Sequence, residues 1–179
     1  MRRRAGGGLP LSSIGKEVIV SVAFTKEESA ETAAETVLPD RPISEHPNLV
    51  TRSGLAQLEA ELAKARAAYD EAQTIEDVNE RRRQAAGPLR DARYFTERVR
   101  SAELVEDPQT HETVAFGSTV TYCRDEEPEK TYRIVGEDEA DPKAGSISYV
   151  SPVARALMGK SVGDVVTMGE HELEIMKIA

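Results

Sequence analysis

Two long stretches in the middle of the chain repeat apolar residues at alternating spacings of three and four, the period of one face of an α-helix. The first stripe consists of Leu55, Leu58, Leu62, Ala65, Tyr69 and Ala72. The second consists of Val78, Ala85, Leu89, Ala92, Phe95, Val99 and Ala102. Because few residues separate the stripes, we predict that residues 48–107 form an antiparallel helical hairpin, a short coiled coil, with its turn near Gln73 to Asp77.

The ends of the predicted helices carry residues that cap helices. Thr51 or Ser53 can cap the first helix, since a hydroxyl accepts a bond from a free amide of the first turn, and Thr74 is the expected cap of the second. Gly87 and Pro88 interrupt the second helix, where a proline costs roughly 3 kcal/mol. We expect a kink there because the apolar register continues across it. The alternative is that the helix ends at Gly87 and a third helix starts with Pro88.

Beyond residue 107 the period changes from helical to alternating, which is typical of short strands. Five strands are predicted, at Ser118 to Arg124, Thr131 to Val135, Ser146 to Val150, Asp164 to Met168 and Leu173 to Ile178. Between the third and fourth, Ser151 to Gly159 predicts a short helix with serine at its N-cap and proline at its first position. The fold class is therefore predicted as α+β, with residues 112–179 forming a five-stranded antiparallel sheet with one helix that folds alone.

The first 47 residues lack a sustained apolar period. From Phe24 onward this segment is rich in Glu, Ala and Thr, and it ends in prolines at positions 39, 42 and 47. Such a composition buries too little apolar surface to offset the entropy lost on folding. We therefore predict that residues 1–47 are a disordered N-terminal arm.

Composition and charge narrow the classes of function. The chain has 179 residues and a net charge of −9, which argues against binding to exposed duplex DNA and favours a protein partner with a basic surface. Cys123 has no second cysteine, which excludes disulfide frameworks and structural zinc. No apolar run approaches the roughly 18 residues that cross a bilayer. We expect a monomeric, cytoplasmic protein that does not bind membranes.

The C-terminal part resembles a known family. The segments that carry the likeness are Val114 to Thr121, Tyr132 to Asp141, Ile147-Ser148, Ser151 to Lys160 and Gly163 to Val166, in that order. They resemble the C-terminal domain of the transcription factors GreA and GreB, and residues 51–105 resemble the Gre coiled coil. The resemblance implies an FKBP-like domain that binds RNA polymerase at the rim of its secondary channel, with the coiled coil entering the channel. Four residues are implied as polymerase contacts, namely Tyr149, Ser151, Pro152 and Arg155.

The resemblance also implies a role for two acids at the hairpin tip. In the family an Asp-x-x-Glu pair helps to hold a second Mg²⁺ in the polymerase active site, where backtracked RNA is cleaved. Asp77 and Glu80 have this spacing, which puts both carboxylates on one helix face, and Mg²⁺ prefers carboxylate oxygens. The protein would then be no enzyme and have no cofactor of its own, but would lend these catalytic carboxylates to the polymerase. The alternative is an ordinary solvated helix end, and in either case replacing both acids should leave folding nearly unchanged.

The chain departs from the family pattern after the acidic pair. Arg81, Arg82, Arg83 and Gln84 stand where the family has Asn-Ala-Glu-Tyr. Each arm of the hairpin is also shorter than in the cleavage factors by about one heptad, or roughly 10 Å of reach. The three arginines could contact the RNA 3′ end or the channel wall, or they could be solvated helix surface.

Three functions are compatible with these features. The first is a Gre-type factor that stimulates RNA cleavage. The second is a regulator that binds the polymerase without stimulating cleavage, like the Gre-family inhibitors or the Rnk-type regulator. The third, a peptidyl-prolyl isomerase, is suggested only by the FKBP-like fold, and the aromatic content of 4% argues against its apolar cleft. The short arms and the arginine run favour the second, and we expect residues 112–179 to carry most of the polymerase affinity.

Overall fold

The computed structural model describes residues 38–125 and 127–179. The predicted disorder of residues 1–37 therefore lies outside the described residues. Two helices dominate the first part, α1 (Arg52–Gln73) and α2 (Val78–Arg100), and they pack against each other along their length. Residues 74–77 form the turn between them, where the sequence predicted it. In the described part of the chain no helix is long and apolar enough to cross a membrane.

The two helices meet through aliphatic and small side chains from the predicted stripes. The buried apolar residues of the hairpin are Leu58, Leu62, Ala65, Ala72 and Ala85. Complete burial of a leucine such as Leu58 stabilises the fold by about 1.5–3 kcal/mol. Val78 belongs to the second stripe but is 47% exposed, because it is the first residue of α2 and lies beside the turn at the hairpin tip.

Both helices begin at a capping residue. The hydroxyl of Thr51 accepts a hydrogen bond from the amide of Gly54 over 2.9 Å and caps α1. Asp77, in an extended conformation, caps α2, so the predicted cap at Thr74 is wrong. Thr74 instead ends α1, with its amide bonded to the carbonyl of Glu71. Thr and Asp are both common N-cap residues, and an N-cap residue needs an extended backbone conformation. The sequence does not show which of Thr74 and Asp77 adopts that conformation in the turn.

Pro88 lies inside α2, which is assigned as one helix through Gly87 and Pro88. The alternative in which a third helix starts at Pro88 is therefore wrong. The expected kink at this position stays a prediction.

Two short strands lie at the base of the hairpin. Strand β1 (Leu49–Val50) precedes α1, and β2 (Glu103–Leu104) follows α2; the two pair in parallel. The amide of Glu103 donates to the carbonyl of Asn48 over 2.8 Å, and the amide of Val105 donates to the carbonyl of Val50 over 2.9 Å. The two ends of the hairpin are thus fastened side by side.

Residues 38–47 fell within the predicted disordered arm, but the structure shows them lying along α2. The guanidinium of Arg41 stacks 3.8 Å from the centre of the Tyr94 ring. Asp40 forms an ion pair with Arg93 at 3.4 Å. The structure differs from the expectation here because a cation stacked on an aromatic ring anchors a segment without any apolar period.

The C-terminal part forms a five-stranded sheet. Its strands are β3 (Thr119–Arg124), β4 (Lys130–Val135), β5 (Ser146–Ser148), β6 (Val165–Met168) and β7 (His171–Ile178), and they lie in the order β5-β4-β3-β7-β6. The pair β4 and β5 is parallel, whereas the other neighbours are antiparallel. The predicted fully antiparallel sheet is therefore wrong at one edge, because alternation fixes the faces of a strand but not the direction of its partner.

Helix α3 (Pro152–Leu157) covers one face of this sheet. The core beneath it consists of Val114, Val120, Tyr122, Ile134, Ile147, Ala154, Leu157, Val166, Leu173, Ile175 and Ile178. Residues Leu38–Ala179, which include both the hairpin and the sheet, form one compact unit.

Candidate functional site

The turn at the hairpin tip is closed by its own side chains. The hydroxyl of Thr74 donates to the carbonyl of Glu71 over 2.7 Å. Arg81 reaches back across the turn, and its guanidinium donates to the carbonyl of Ile75 over 2.9 Å. Arg81 therefore supports the shape of the tip.

Asp77 is the N-cap of α2. Its Oδ1 accepts a hydrogen bond from the amide of Glu80 over 2.7 Å. A carboxylate here satisfies a free amide of the first turn and lies at the positive end of the helix dipole. One oxygen of Asp77 is thus engaged within the hairpin.

The carboxylate of Glu80 is engaged on both oxygens. Its Oε1 accepts from the side-chain amide of Gln84 over 2.8 Å, and its Oε2 accepts from Nε of Arg83 over 3.1 Å and from a second guanidinium nitrogen. The hydrogen bond from Gln84 and then the one from Arg83 lower the pKa of Glu80, while the negative charge of Asp77 opposes them. Glu80 is therefore held ionised and turned along its own helix.

These contacts bear on metal binding by the acidic pair. Three of the four oxygens of Asp77 and Glu80 already accept hydrogen bonds. Within residues 38–125 and 127–179, no group of three or more His, Cys, Asp or Glu side chains could hold a metal ion. Ligation of Mg²⁺ by Glu80 would therefore compete with the hydrogen bonds from Arg83 and Gln84, because Mg²⁺ takes carboxylate oxygens in near-octahedral geometry.

The three arginines after the pair have different surroundings. Arg81 bonds to the turn and Arg83 to Glu80. Arg82 is exposed and, among the described residues, forms neither an ion pair nor a side-chain hydrogen bond. Of the three, Arg82 is therefore the guanidinium that a partner could reach without breaking a contact.

The second set of predicted site residues lies at α3. The hydroxyl of Ser151 accepts from the amide of Ala154 over 3.2 Å and caps the helix. Pro152 and Arg155 are exposed on the same helix. The structure thus gives Ser151 a local role and leaves Pro152 and Arg155 open to solvent.

Tyr149 is held within the chain. It follows the last residue of β5, and its ring packs edge-on against Phe116 with 5.9 Å between the ring centres. Its hydroxyl donates to the carbonyl of Pro47. Burial raises the pKa of Tyr149 above its ordinary value. Tyr149 therefore connects the sheet domain to the segment that leads into the hairpin.

A buried ion pair joins the hairpin to the loop after β4. Arg98 of α2 is 2% exposed, and its Nε donates to Oδ2 of Asp138 over 2.5 Å. Tyr94, one turn earlier, donates its hydroxyl to Oδ1 of the same carboxylate over 2.6 Å. Burial, followed by this hydrogen bond, raises the pKa of Tyr94 to about 12. The Asp138 carboxylate is thus satisfied entirely by α2.

Glu139, the next residue, makes a matching contact with α1. Its Oε2 accepts from the hydroxyl of Thr51 over 2.6 Å, and its Oε1 accepts from the hydroxyl of Ser53 over 2.7 Å. Gly54 leaves room for this carboxylate, because a methyl group there would lie 2.5 Å from Oε2. Glu139 therefore sits at the N-terminus of α1, where negative charge is favoured.

Pattern alone assigns no role to Asp138 or Glu139, although both lie in a segment that carries the family likeness. The sequence contains one indication that Arg98 is buried. Arg98 follows Tyr94 and Phe95 at spacings of four and three, so it shares their face of the helix. A charge on that face requires a buried partner. The identity of the partner, 40 positions away, cannot be found from spacing.

Several solved structures are similar to this chain. The GreA factor homolog 1 (Gfh1) of Thermus thermophilus is 21% identical, with a TM-score of 0.34, covering 75% of this chain and 99% of that one. The transcription elongation factor GreA/GreB from Nitrosomonas europaea is 22% identical, with a TM-score of 0.36, covering 73% and 98%.

Sequence comparisons place the chain in a family. The family model "Transcription elongation factor, GreA/GreB, C-term" matches residues 109–179. The transcription elongation factor GreA of Beijerinckia indica is 36% identical over 153 residues, covering 82% of this chain and 91% of the relative. GreA of Chelativorans sp. is 35% identical, covering 77% and 85%. The likeness thus spans both the hairpin and the sheet domain, and the chain belongs to the GreA/GreB family of transcription elongation factors.

Proposed function

We propose that this protein binds RNA polymerase at the rim of the secondary channel through its C-terminal domain and extends the hairpin into the channel. GreA relatives that are similar over most of their length are elongation factors, which supports the polymerase as partner. Pro152 and Arg155 are exposed and available for contact. From Val78 to Arg98, α2 spans about 30 Å, enough to carry the tip well away from the sheet.

We further propose that the protein modulates elongation without stimulating RNA cleavage. The observation that carries this proposal is the engagement of Glu80 by Arg83 and Gln84. An arginine at this position neutralises the carboxylate and draws it along the helix, away from any partner ahead of the tip. The tip then acts by occupying the channel, and Arg82 is its contact for phosphate groups of the RNA 3′ end or for an acidic channel wall.

A second candidate, the stimulation of cleavage, is favoured by the spacing of Asp77 and Glu80. Exposed ion pairs contribute at most about 1 kcal/mol, so a strong pull on Glu80 from the polymerase would separate it from Arg83. Under this candidate function, the hydrogen bonds of Glu80 are present in the free protein and break when it binds the polymerase. The two candidates therefore differ in what happens when Arg83 is removed.

The experiment is an RNA cleavage assay on stalled elongation complexes, with polymerase binding measured in parallel. We expect the wild-type chain to bind and to change the elongation rate, but not to accelerate cleavage. Asp77→Asn combined with Glu80→Gln should bind equally well. Rapid wild-type cleavage that disappears in this double variant would establish the second candidate.

Arg83→Met sharpens the test because it frees one oxygen of Glu80. If Arg83 withholds the carboxylate, this variant should cleave faster than the wild type. Arg66→Met, an exposed arginine on α1, is the matched control and should not. Absence of binding by every variant and by the wild type would remove the polymerase as partner.

A further inference from the structure

We propose that Asp138 and Glu139 are positioning residues, which fix the direction in which the hairpin leaves the C-terminal domain and so determine where its tip lies. The effect on transcription rests on the proposed function above. The effect on the hairpin itself does not, because it concerns contacts within the chain.

The two contacts lie on different helices of the hairpin. Asp138 holds α2 through Tyr94 and Arg98, and the adjacent Glu139 holds α1 through Thr51 and a neighbouring serine. One contact would leave the hairpin free to turn about it. Two contacts from consecutive residues to two different helices prevent sliding and leave rotation only about the line that joins them.

The contact between Arg98 and Asp138 is buried. Arg98 is among the largest fully buried side chains of the described structure. Its charge is met by Asp138 and, at 3.9 Å, by Glu137. A buried guanidinium separated from its carboxylate is costly, so the pair does not exchange readily with water. The contact is therefore suited to hold one geometry.

The backbones of β1 and of the loop after β4 also approach each other closely. A methyl group on Gly136 would lie 2.5 Å from the carbonyl oxygen of Leu49. The loop after β4 thus touches β1 backbone to backbone, two residues before Asp138. Since neither side of this contact has a flexible side chain, it leaves little room for tilt.

A small change in the angle of the hairpin at its base produces a large displacement of its tip. The tip is about 30 Å from Arg98 along α2, so a tilt of about 10° at the base displaces it by about 5 Å. A shift of about 5 Å exceeds the roughly 3 Å length of a hydrogen bond, so a displaced tip loses the polar contacts of the undisplaced one. Control of the angle at Asp138 and Glu139 is therefore control of what the tip can contact.

The test measures tip position in the full chain. With Cys123→Ser as background, spin labels are attached at Asn79→Cys on the tip and Lys143→Cys in the sheet domain, both exposed positions. The distance distribution is recorded by double electron–electron resonance. We expect one narrow distribution in this parent protein. Asp138→Asn, which keeps the shape but removes the charge, should broaden it or shift it by about 5 Å, and Glu139→Gln should have a smaller effect.

Arg100→Met is the matched control, since it breaks the exposed pair with Glu97 on the same helix. It should leave the distribution unchanged. An unchanged distribution in Asp138→Asn overturns the proposal, even if the variant melts at a lower temperature, because the contact would then only stabilise the fold. If Asp138→Asn does not fold, Tyr94→Phe and Ser53→Ala each remove a single hydroxyl from the junction, and the same outcomes apply to them.

A second measurement connects the angle to transcription. Polymerase affinity of a folded junction variant should be nearly unchanged, while most of its maximal effect on elongation is lost. Equal losses of affinity and effect would contradict the link between tip position and activity. A parent protein without any effect on the polymerase would contradict the proposed function and leave the distance result standing.

Discussion

Arg98 and Asp138 form a buried ion pair across 40 positions of the chain, with 2.5 Å between Nε and Oδ2. The pair joins the second helix of the hairpin to the loop after β4. It therefore links the hairpin to the sheet domain, although the pattern of apolar residues gives no sign of a contact between them.

Removal of one partner of this pair should be strongly destabilising. Asp138→Ala leaves the Arg98 charge buried without its main partner, and we expect the free energy of unfolding to fall by about 3–5 kcal/mol. Chemical denaturation monitored by circular dichroism measures this value. Arg100→Met should have a far smaller effect because its side chain is 72% exposed. Similar losses in the two variants would show that the Arg98 pair is effectively solvated.

Asp77 contributes to stability as well as to the charge of the tip. Asp77→Ala removes the N-cap of α2, and we expect a loss of about 0.5–2 kcal/mol. The capping bond of Asp77 and the expectation that both acids can be replaced with almost no effect on folding lead to different outcomes, which this variant distinguishes. Asp77→Ser removes the charge but keeps a capping oxygen, so it should recover most of the loss in a thermal melt. Equal melting of the Ala and Ser variants would exclude capping as the cause.

Glu80 should titrate below the ordinary range of a glutamate. Its pKa is lowered by hydrogen bonds from Gln84 and Arg83. Because the folded-state pKa is depressed, any stability from this carboxylate is present above the unfolded-state pKa and is lost as pH falls through the folded-state value. In a carbon-detected NMR titration, Gln84→Ala and Arg83→Met should each raise the pKa of Glu80. Arg66→Met should not, and an ordinary pKa in the wild type would show that these hydrogen bonds are absent in solution.

Gly136 is expected to be intolerant of any side chain. Gly136→Ala brings a methyl group against the carbonyl of Leu49, a backbone atom that cannot turn aside, and we expect a loss of about 1–3 kcal/mol in the free energy of unfolding. Gly87→Ala is the control, since a methyl group there meets nothing within 4 Å. Denaturant midpoints compare the two. A Gly136→Ala variant as stable as the control would mean that the loop and β1 are not in close contact.

The hairpin was predictable because its signal is local. Residues such as Leu58 and Leu62 recur with the helical period, and the position of the turn follows from the end of the stripe. The caps were harder, because Thr74 and Asp77 are close together and have similar capping ability. Which of the two caps α2 depends on the contacts within the turn, such as the hydrogen bond from Arg81 to the carbonyl of Ile75.

The junction was not predictable because its partners are distant in sequence. A stretch of consecutive acids after β4 looks like a solvated loop until the fold brings Asp138 to Arg98. The direction of β5 is a similar case, since residues 136–145 return the chain to the same end of the sheet, which alternation along β5 does not indicate.

Because β1 pairs with β2, the chain enters and leaves the hairpin at the same place. Both its ends are tied at one place, by hydrogen bonds that involve no residue of either helix. Addition or removal of one heptad in each arm would thus shift the tip by roughly 10 Å and leave every contact at the base in place. The length of the hairpin can therefore change independently of the rest of the fold. Evolution or design could lengthen or shorten the two helices without altering the sheet domain or the contacts at the base.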